Sequence, residues 1–123
     1  MEITIEASGD VAERSELLNG TESVALEGSG DGWTVSVLAS WSIGLVEYAG
    51  EGDITLARDD GAIIAAVTQA ALRTGDDGAE ELRVRYEIDG GEGRFADAAG
   101  SIEATIRLDG ATFAGIWRVT LED

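Results

Sequence analysis

The sequence predicts an all-β protein of antiparallel strands, folded as a sandwich or a barrel. Apolar and polar residues alternate over several short segments, which is typical of strands that bury one face and expose the other to water. Clusters rich in glycine separate these segments, and their Asp-Gly pairs suit tight turns because both residues tolerate positive φ. The chain has 123 residues, so we expect a single domain over residues 1–123.

Several segments show the alternation clearly. Their apolar members share one face of each strand, because successive side chains of a strand point to opposite sides. In chain order these members are Ile3 and Ile5; Trp33, Val35, Val37, Ala39 and Trp41; Leu82, Val84, Tyr86 and Ile88; Ile102, Ala104, Ile106 and Leu108; and Phe113, Trp117, Val119 and Leu121. The polar residues between them are expected on the outer face.

Residues 11–19 depart from the alternation. The segment from Asp10 to Glu13 has the form of a capping box, and Gly20 suits the end of a helix. This pattern favours one short helix over residues 11–19.

Residues 61–73 are the second exception. They are rich in alanine, with Asp60 as a candidate cap and Gly75 as a stop, so propensity alone favours a helix by a small margin. As a strand, the same residues would be apolar on both faces and would need cover on both sides. Cover from another subunit would make the protein a homo-oligomer.

The charged residues restrict the chemistry that the chain can perform. It carries 25 acidic and 8 basic residues, a net charge of −17, and it contains no Lys, His, Cys or Pro. These absences exclude Ser-His-Asp catalysis, imidazole or thiolate metal sites, iron–sulfur clusters, disulfides and Schiff-base chemistry. The acids at Asp59-Asp60 and Asp76-Asp77 lack calcium-loop spacing and are interpreted as solvated turns. We therefore expect neither a metal nor a cofactor.

The distribution of charge bears on partners and environment. A body this acidic repels nucleic acid and anionic lipid headgroups, so neither is expected as a partner. The acids extend from Glu2 to Glu122, which favours adaptation of the whole surface to salt over a docking patch.

The first residues lack the basic and apolar regions of a signal peptide, and no apolar run reaches the length of about 20 residues that a membrane helix needs. We expect a cytoplasmic protein from a halophilic source.

One segment resembles a known family. Residues 90–100, GGEGRFADAAG, lie between two predicted strands and resemble a hairpin of the allene oxide cyclase-like and dirigent-like β-barrels. Residues 48–56, YAGEGDITL, resemble the strand with a Gly-x-Gly kink found earlier in such barrels, and the resemblance covers about residues 45–121.

The resemblance implies an eight-stranded antiparallel barrel with an apolar interior, often dimeric or trimeric. It also implies a strand over residues 61–73, which we adopt because tertiary context often overrides propensity. The plant cyclases use pocket residues that include a proline and a cysteine, and this chain has neither residue type. The resemblance therefore transfers the fold and no catalytic residue.

Aromatic residues on the predicted inner faces form the candidate site. They would either fill the barrel as core or line an open pocket, since small barrels do both. Small residues at Ala39, Ala65, Ala71 and Ala104 would leave space for a ligand, and Tyr48, Gln69 and Tyr86 would supply polar contacts. The candidate lining residues are Trp33, Trp41, Tyr48, Gln69, Tyr86, Phe113 and Trp117.

Three functions fit such a barrel. The first is binding of a small apolar molecule without covalent chemistry. The second is a cofactor-free isomerase or cyclase that folds an apolar substrate into one shape. The third is a packed barrel that acts through its outer surface as an oligomeric structural or interaction module.

The charge distribution predicts that salt stabilises the protein. Because salt screens repulsion between the acids, we expect the melting temperature to rise as KCl increases from about 0.1 M to about 1 M. Thermal melts followed by circular dichroism across a KCl series measure this. A melting temperature that stays flat or falls with KCl would contradict halophilic adaptation.

Overall fold

A computed structural model of the chain describes residues 1–16, 21–42, 50–75 and 78–122. In this described part, eight strands form a closed antiparallel barrel in chain order, which confirms the predicted fold class. The strands are β1 (Glu2–Glu16), β2 (Thr21–Gly30), β3 (Trp33–Ser42), β4 (Gly50–Arg58), β5 (Gly61–Thr74), β6 (Glu80–Gly93), β7 (Gly100–Asp109) and β8 (Thr112–Leu121). The described residues include no helix of the length and apolarity needed to cross a membrane.

Pairing between β1 and β8 closes the barrel. The ladder runs from Glu2 opposite Thr120 to Asp10 opposite Thr112. Next to it, the backbone N–H of Leu121 donates a hydrogen bond of 2.8 Å to the carbonyl of Met1. Closure gives each described strand two hydrogen-bonded neighbours and removes the free edges of the sheet.

The core fills the inside of the barrel. Along β8, buried and exposed residues alternate from Phe113 to Val119, as the sequence pattern predicts. Among the described residues, the buried set contains no charged side chain. The largest fully buried side chains are Trp41, Trp117, Tyr86, Ile5, Leu26, Ile54, Leu56, Ile63, Leu82, Ile102, Ile106 and Val35.

The alanine-rich segment is a strand. Residues 61–74 form β5, which pairs with β4 on one side and β6 on the other, so the strand assignment is confirmed. Inward Ile63 and Ala65 are fully buried, whereas outward Ile64 is 37% exposed. Hydrogen bonds along both edges replace those that a helix would supply. A homo-oligomer formed through the outer face stays a prediction.

The helix expected over residues 11–19 is wrong where the structure describes it. Val11 to Glu16 continue β1 and pair with β2, and residues 17–19 lie outside the described residues. The register shifts between Val11 and Glu13, which leaves Ala12 as the extra residue of a β-bulge. This bulge breaks the period-two pattern, and the interrupted pattern resembled a helix start.

Inward glycines make room for two aromatic rings. A Cβ atom added to Gly115 would lie 2.7 Å from ring atoms of Trp117, and one added to Gly28 would lie 2.8 Å from the ring of Phe113. Both distances are shorter than any normal carbon contact. The Trp117 ring therefore occupies the space of a side chain at Gly115, whereas at Gly28 the backbone of Ser8 approaches even closer than the Phe113 ring.

A methyl group at Gly115 tests how tightly these rings fit. We expect Gly115→Ala to lower the free energy of unfolding by about 1–3 kcal/mol, because overpacking forces Trp117 to shift. Ala114→Ser, at the exposed neighbouring position, is the matched control and should change stability by less than about 0.5 kcal/mol. Urea denaturation at constant KCl measures both variants. An unchanged midpoint for Gly115→Ala would mean that the Trp117 ring has room to move.

Candidate functional site

The candidate site is the barrel interior around Tyr86 and Trp117. Tyr86 comes from β6 and Trp117 from β8, and the intervening strand β7 pairs with both. Ile102 lies opposite Tyr86 and Ala104 opposite Trp117, so the two side chains enter the barrel at successive inward positions along β7. Tyr86 is 1% exposed and Trp117 is fully buried.

The environment of Tyr86 keeps its phenol neutral. Burial raises the pKa of Tyr86 well above its ordinary value, because the ionised form loses its hydration. The Trp117 indole lies near enough to oppose this rise in pKa weakly, yet the two groups do not reach hydrogen-bond geometry. A neutral phenol acts as a hydrogen-bond donor throughout the physiological pH range.

Phe113 completes this central group. Its ring centroid lies 6.2 Å from that of Trp117, and the planes are inclined at 81°, an edge-to-face arrangement. Because each ring also lies against an inward glycine, this side of the interior is packed.

Three polar atoms in the interior have no hydrogen-bond partner among the described residues. They are Nε1 of Trp41, Oη of Tyr86 and Nε1 of Trp117. An unmatched buried polar group costs about 1–3 kcal/mol, and most buried polar groups in native proteins are paired. These three atoms are therefore the polar groups of the described interior with which another molecule could form hydrogen bonds.

One end of the barrel, here named the Arg14 end, holds an ion cluster. Arg14 lies opposite buried Val24, so its side chain shares the inner face. Its guanidinium donates hydrogen bonds of 2.9 Å to Glu22 and 2.7 Å to Glu80. The cluster connects β1, β2 and β6, and Glu22 lies opposite Trp41 on β3. Hydrogen bonding between Arg14 and Glu80 lowers the pKa of Glu80 and raises that of Arg14.

The opposite end, here named the Trp33 end, is closed by aromatic rings. Trp33 and Phe95 lie 5.6 Å apart between ring centroids, and the Arg58 guanidinium lies 5.2 Å from the Trp33 centroid. Arg58 also donates a hydrogen bond of 2.8 Å to Asp60, and Arg94 lies 3.4 Å from the same carboxylate. These contacts, the Arg58 hydrogen bond first, lower the pKa of Asp60 to about 2.

Phe95 is a buried ring that the alternation pattern does not indicate. It lies in the turn between β6 and β7 and is 4% exposed, although no strand periodicity surrounds it. A lone aromatic residue among small and acidic ones, in RFADAAG, is the signal that could have indicated a buried turn residue.

The structure separates the predicted lining residues into groups. Tyr86, Phe113 and Trp117 lie together, Trp41 lies towards the Arg14 end, and Trp33 lies at the other end. All five side chains are buried, and Tyr48 lies outside the described residues. Their role in ligand binding stays a prediction.

The inward position predicted for Gln69 is wrong. The register of β5 against β6 shifts between Val67 and Gln69, which makes Thr68 the extra residue of a bulge. Gln69 is therefore exposed, and Ala70 is fully buried in its place. Ala71, expected to face the pocket, is only partly buried for the same reason.

Comparisons with protein-family models, with curated proteins and with solved structures find no significant match to this chain. The fold and the interior therefore rest on this chain's own residues.

The buried phenol predicts alkaline destabilisation. In the unfolded chain Tyr86 ionises near pH 10, whereas the folded state retains the proton. The stabilising contribution is complete below pH 10 and is lost as the pH rises above that value. The chain has no Lys, His or Cys, so tyrosine is the side chain that titrates between about pH 9 and about pH 11.

We expect the free energy of unfolding to decrease over this range in the wild type and to decrease less in Tyr86→Phe. Chemical denaturation at several pH values, with tyrosinate absorbance as a second readout, measures the difference. Identical pH profiles for the two proteins would show that Tyr86 ionises freely in the folded state.

Proposed function

We propose that this protein binds a small apolar molecule inside its barrel and performs no covalent chemistry on it. The three unpartnered polar atoms in an otherwise apolar interior carry this proposal. A bound molecule would form hydrogen bonds with those atoms. Its apolar surface would take over the contacts of the side chains that it moves aside. Eight-stranded barrels have an interior just wide enough for side chains or for one small ligand.

Space for a ligand would come from rotation of Phe113 and Trp117. Both rings rest against glycines, so a rotated ring leaves a flat wall without a side chain behind it. The buried alanines at Ala39, Ala65 and Ala104 add further small surfaces on β3, β5 and β7. Empty apolar space is costly in a protein core, and this cost favours a packed interior until a ligand arrives.

The Arg14 end is the better route of access. The side chains of Arg14 and Glu80 are 30% and 28% exposed, so water can replace their hydrogen bonds when the cluster opens. Trp33 and Phe95 at the other end are each 4% exposed, and separating them would expose apolar surface.

An isomerase or cyclase remains the alternative that the family resemblance suggests. In the described part of the chain, Tyr86 is the titratable side chain that is buried, and its raised pKa keeps the phenol protonated, so no phenolate is present to act as a base. A reaction here would depend on shaping the substrate rather than on proton transfer.

The packing of Phe113 and Trp117 against glycines favours a further alternative, a filled barrel that acts through its surface.

Ligand extraction tests the proposal. The protein is purified from its own host at high salt and denatured in organic solvent, and the extract is examined by mass spectrometry. We expect an apolar compound in near-stoichiometric amount. The same protein, after extraction and refolding, should bind the fluorescent probe N-phenyl-1-naphthylamine with a stoichiometry of one.

Two variants on β8 serve as a matched pair. Trp117→Phe alters the interior and should weaken probe binding about tenfold, through lost contact area. Ile116→Ala truncates the outward neighbour, which is 38% exposed, and should bind the probe like the wild type. An empty extract together with no probe binding would refute the proposal and favour the surface-acting barrel.

A further inference from the structure

We propose that the ligand is a neutral molecule with a carbonyl oxygen, and that Tyr86 and Trp117 donate hydrogen bonds to this oxygen. This ligand class rests on the proposed function, because it assigns the chemistry of the same interior site. The unpartnered atoms identify which kind of group the interior lacks.

The interior has more hydrogen-bond donors than acceptors. An indole N–H only donates, and a neutral phenol donates one hydrogen while its oxygen accepts. Trp41, Tyr86 and Trp117 therefore offer three hydrogens and one acceptor oxygen. Pairing Trp117 with the Tyr86 oxygen would still leave two hydrogens unmatched. No other buried side chain in the described part of the chain carries an acceptor atom, so an occupant would supply the acceptor.

A carbonyl fits this deficit better than water or an alcohol. A carbonyl oxygen brings two lone pairs and no hydrogen, so it accepts from both donors at once. A water molecule brings two hydrogens of its own and needs further acceptors, which the described interior does not provide. A hydroxyl group adds one hydrogen and has the same difficulty.

The charge of the site favours a neutral ligand. A buried carboxylate requires a buried cation or several donors, and the buried residues of the described chain include no cation. The net charge of −17 also lowers the local concentration of anions. A cationic ligand would find one acceptor, the Tyr86 oxygen, and no buried counter-charge in the described interior.

The geometry brings two of the donors to one place. Tyr86 and Trp117 flank β7 at inward positions two residues apart in register, and Ala104, opposite Trp117, presents only a methyl group from the strand between them. A carbonyl oxygen in front of Ala104 could face the phenol and the indole together. Trp41, the third unpartnered donor, comes from β3, opposite Glu22.

Three small probes of similar size test the inference. Cyclohexanone carries a carbonyl, cyclohexanol a hydroxyl, and methylcyclohexane no polar group. Their dissociation constants are measured by displacement of N-phenyl-1-naphthylamine from the full-length protein at high salt. Because the probes differ in hydrophobicity, the quantity compared is the preference for cyclohexanone over methylcyclohexane in each protein variant.

We expect this preference to fall about tenfold in Tyr86→Phe, which removes only the hydroxyl group. Trp117→Phe should reduce the preference to a similar extent. Ile116→Ala is the matched control, because it truncates an outward side chain next to Trp117 and should leave the preference unchanged. The infrared carbonyl band of bound cyclohexanone should lie at lower frequency in the wild type than in Tyr86→Phe.

The outcomes separate this inference from the proposed function. If cyclohexanone and methylcyclohexane both bind and Tyr86→Phe leaves the preference unchanged, the barrel binds apolar molecules but the carbonyl assignment is wrong. A preference for cyclohexanol that depends on Tyr86 would also overturn it, since the ligand would then carry a donor. If neither N-phenyl-1-naphthylamine nor any of the three probes binds, the proposed function itself fails. Indole N–H proton resonances confirm that each variant is folded.

Discussion

Hydrogen bonding between β1 and β8 closes the sheet, and closure fixes the space inside it. An open sheet can bend or add strands to suit its side chains, whereas the radius of a barrel follows from strand number and stagger. The inner face must then accommodate whatever residues alternate onto it. In this chain the inner face receives Trp41, Tyr86, Phe113 and Trp117, and large rings in a fixed volume require small neighbours. Gly28 and Gly115 meet that requirement directly.

The same restriction explains why the interior is unbalanced in polar groups. The ladders use the backbone N–H and C=O groups of paired strands, so the inner surface presents side chains alone. The buried ones among the described residues are aliphatic or aromatic, and the polar atoms of the large rings are mainly donors. No acidic side chain is buried in the described part of the chain, so the carboxylate acceptors there remain in contact with water. The asymmetry between an acceptor-rich surface and an acceptor-poor interior is the chemical character of this barrel.

Much of the fold could be predicted from alternation, because a half-buried strand leaves a period of two in the sequence. The prediction failed where the backbone departs from that period. The bulges at Ala12 and Thr68 each add one residue, which moves Gln69 to the outer face and makes Val11 to Glu16 look irregular. Phe95 has no periodic signal at all, since a turn closes the barrel end around it. Which donors lack partners depends on the whole interior, and no local pattern records that.

The order of the ladders has a kinetic consequence. Seven of the eight described ladders join strands that are consecutive in the chain, so they can form as successive hairpins with short loops. The eighth brings together groups 120 residues apart, such as the Met1 ammonium and the Leu121 carbonyl. Loop-closure entropy opposes that contact until the intervening hairpins have shortened the effective loop. We therefore expect the consecutive hairpins to form first and the β1–β8 ladder to form last and open first.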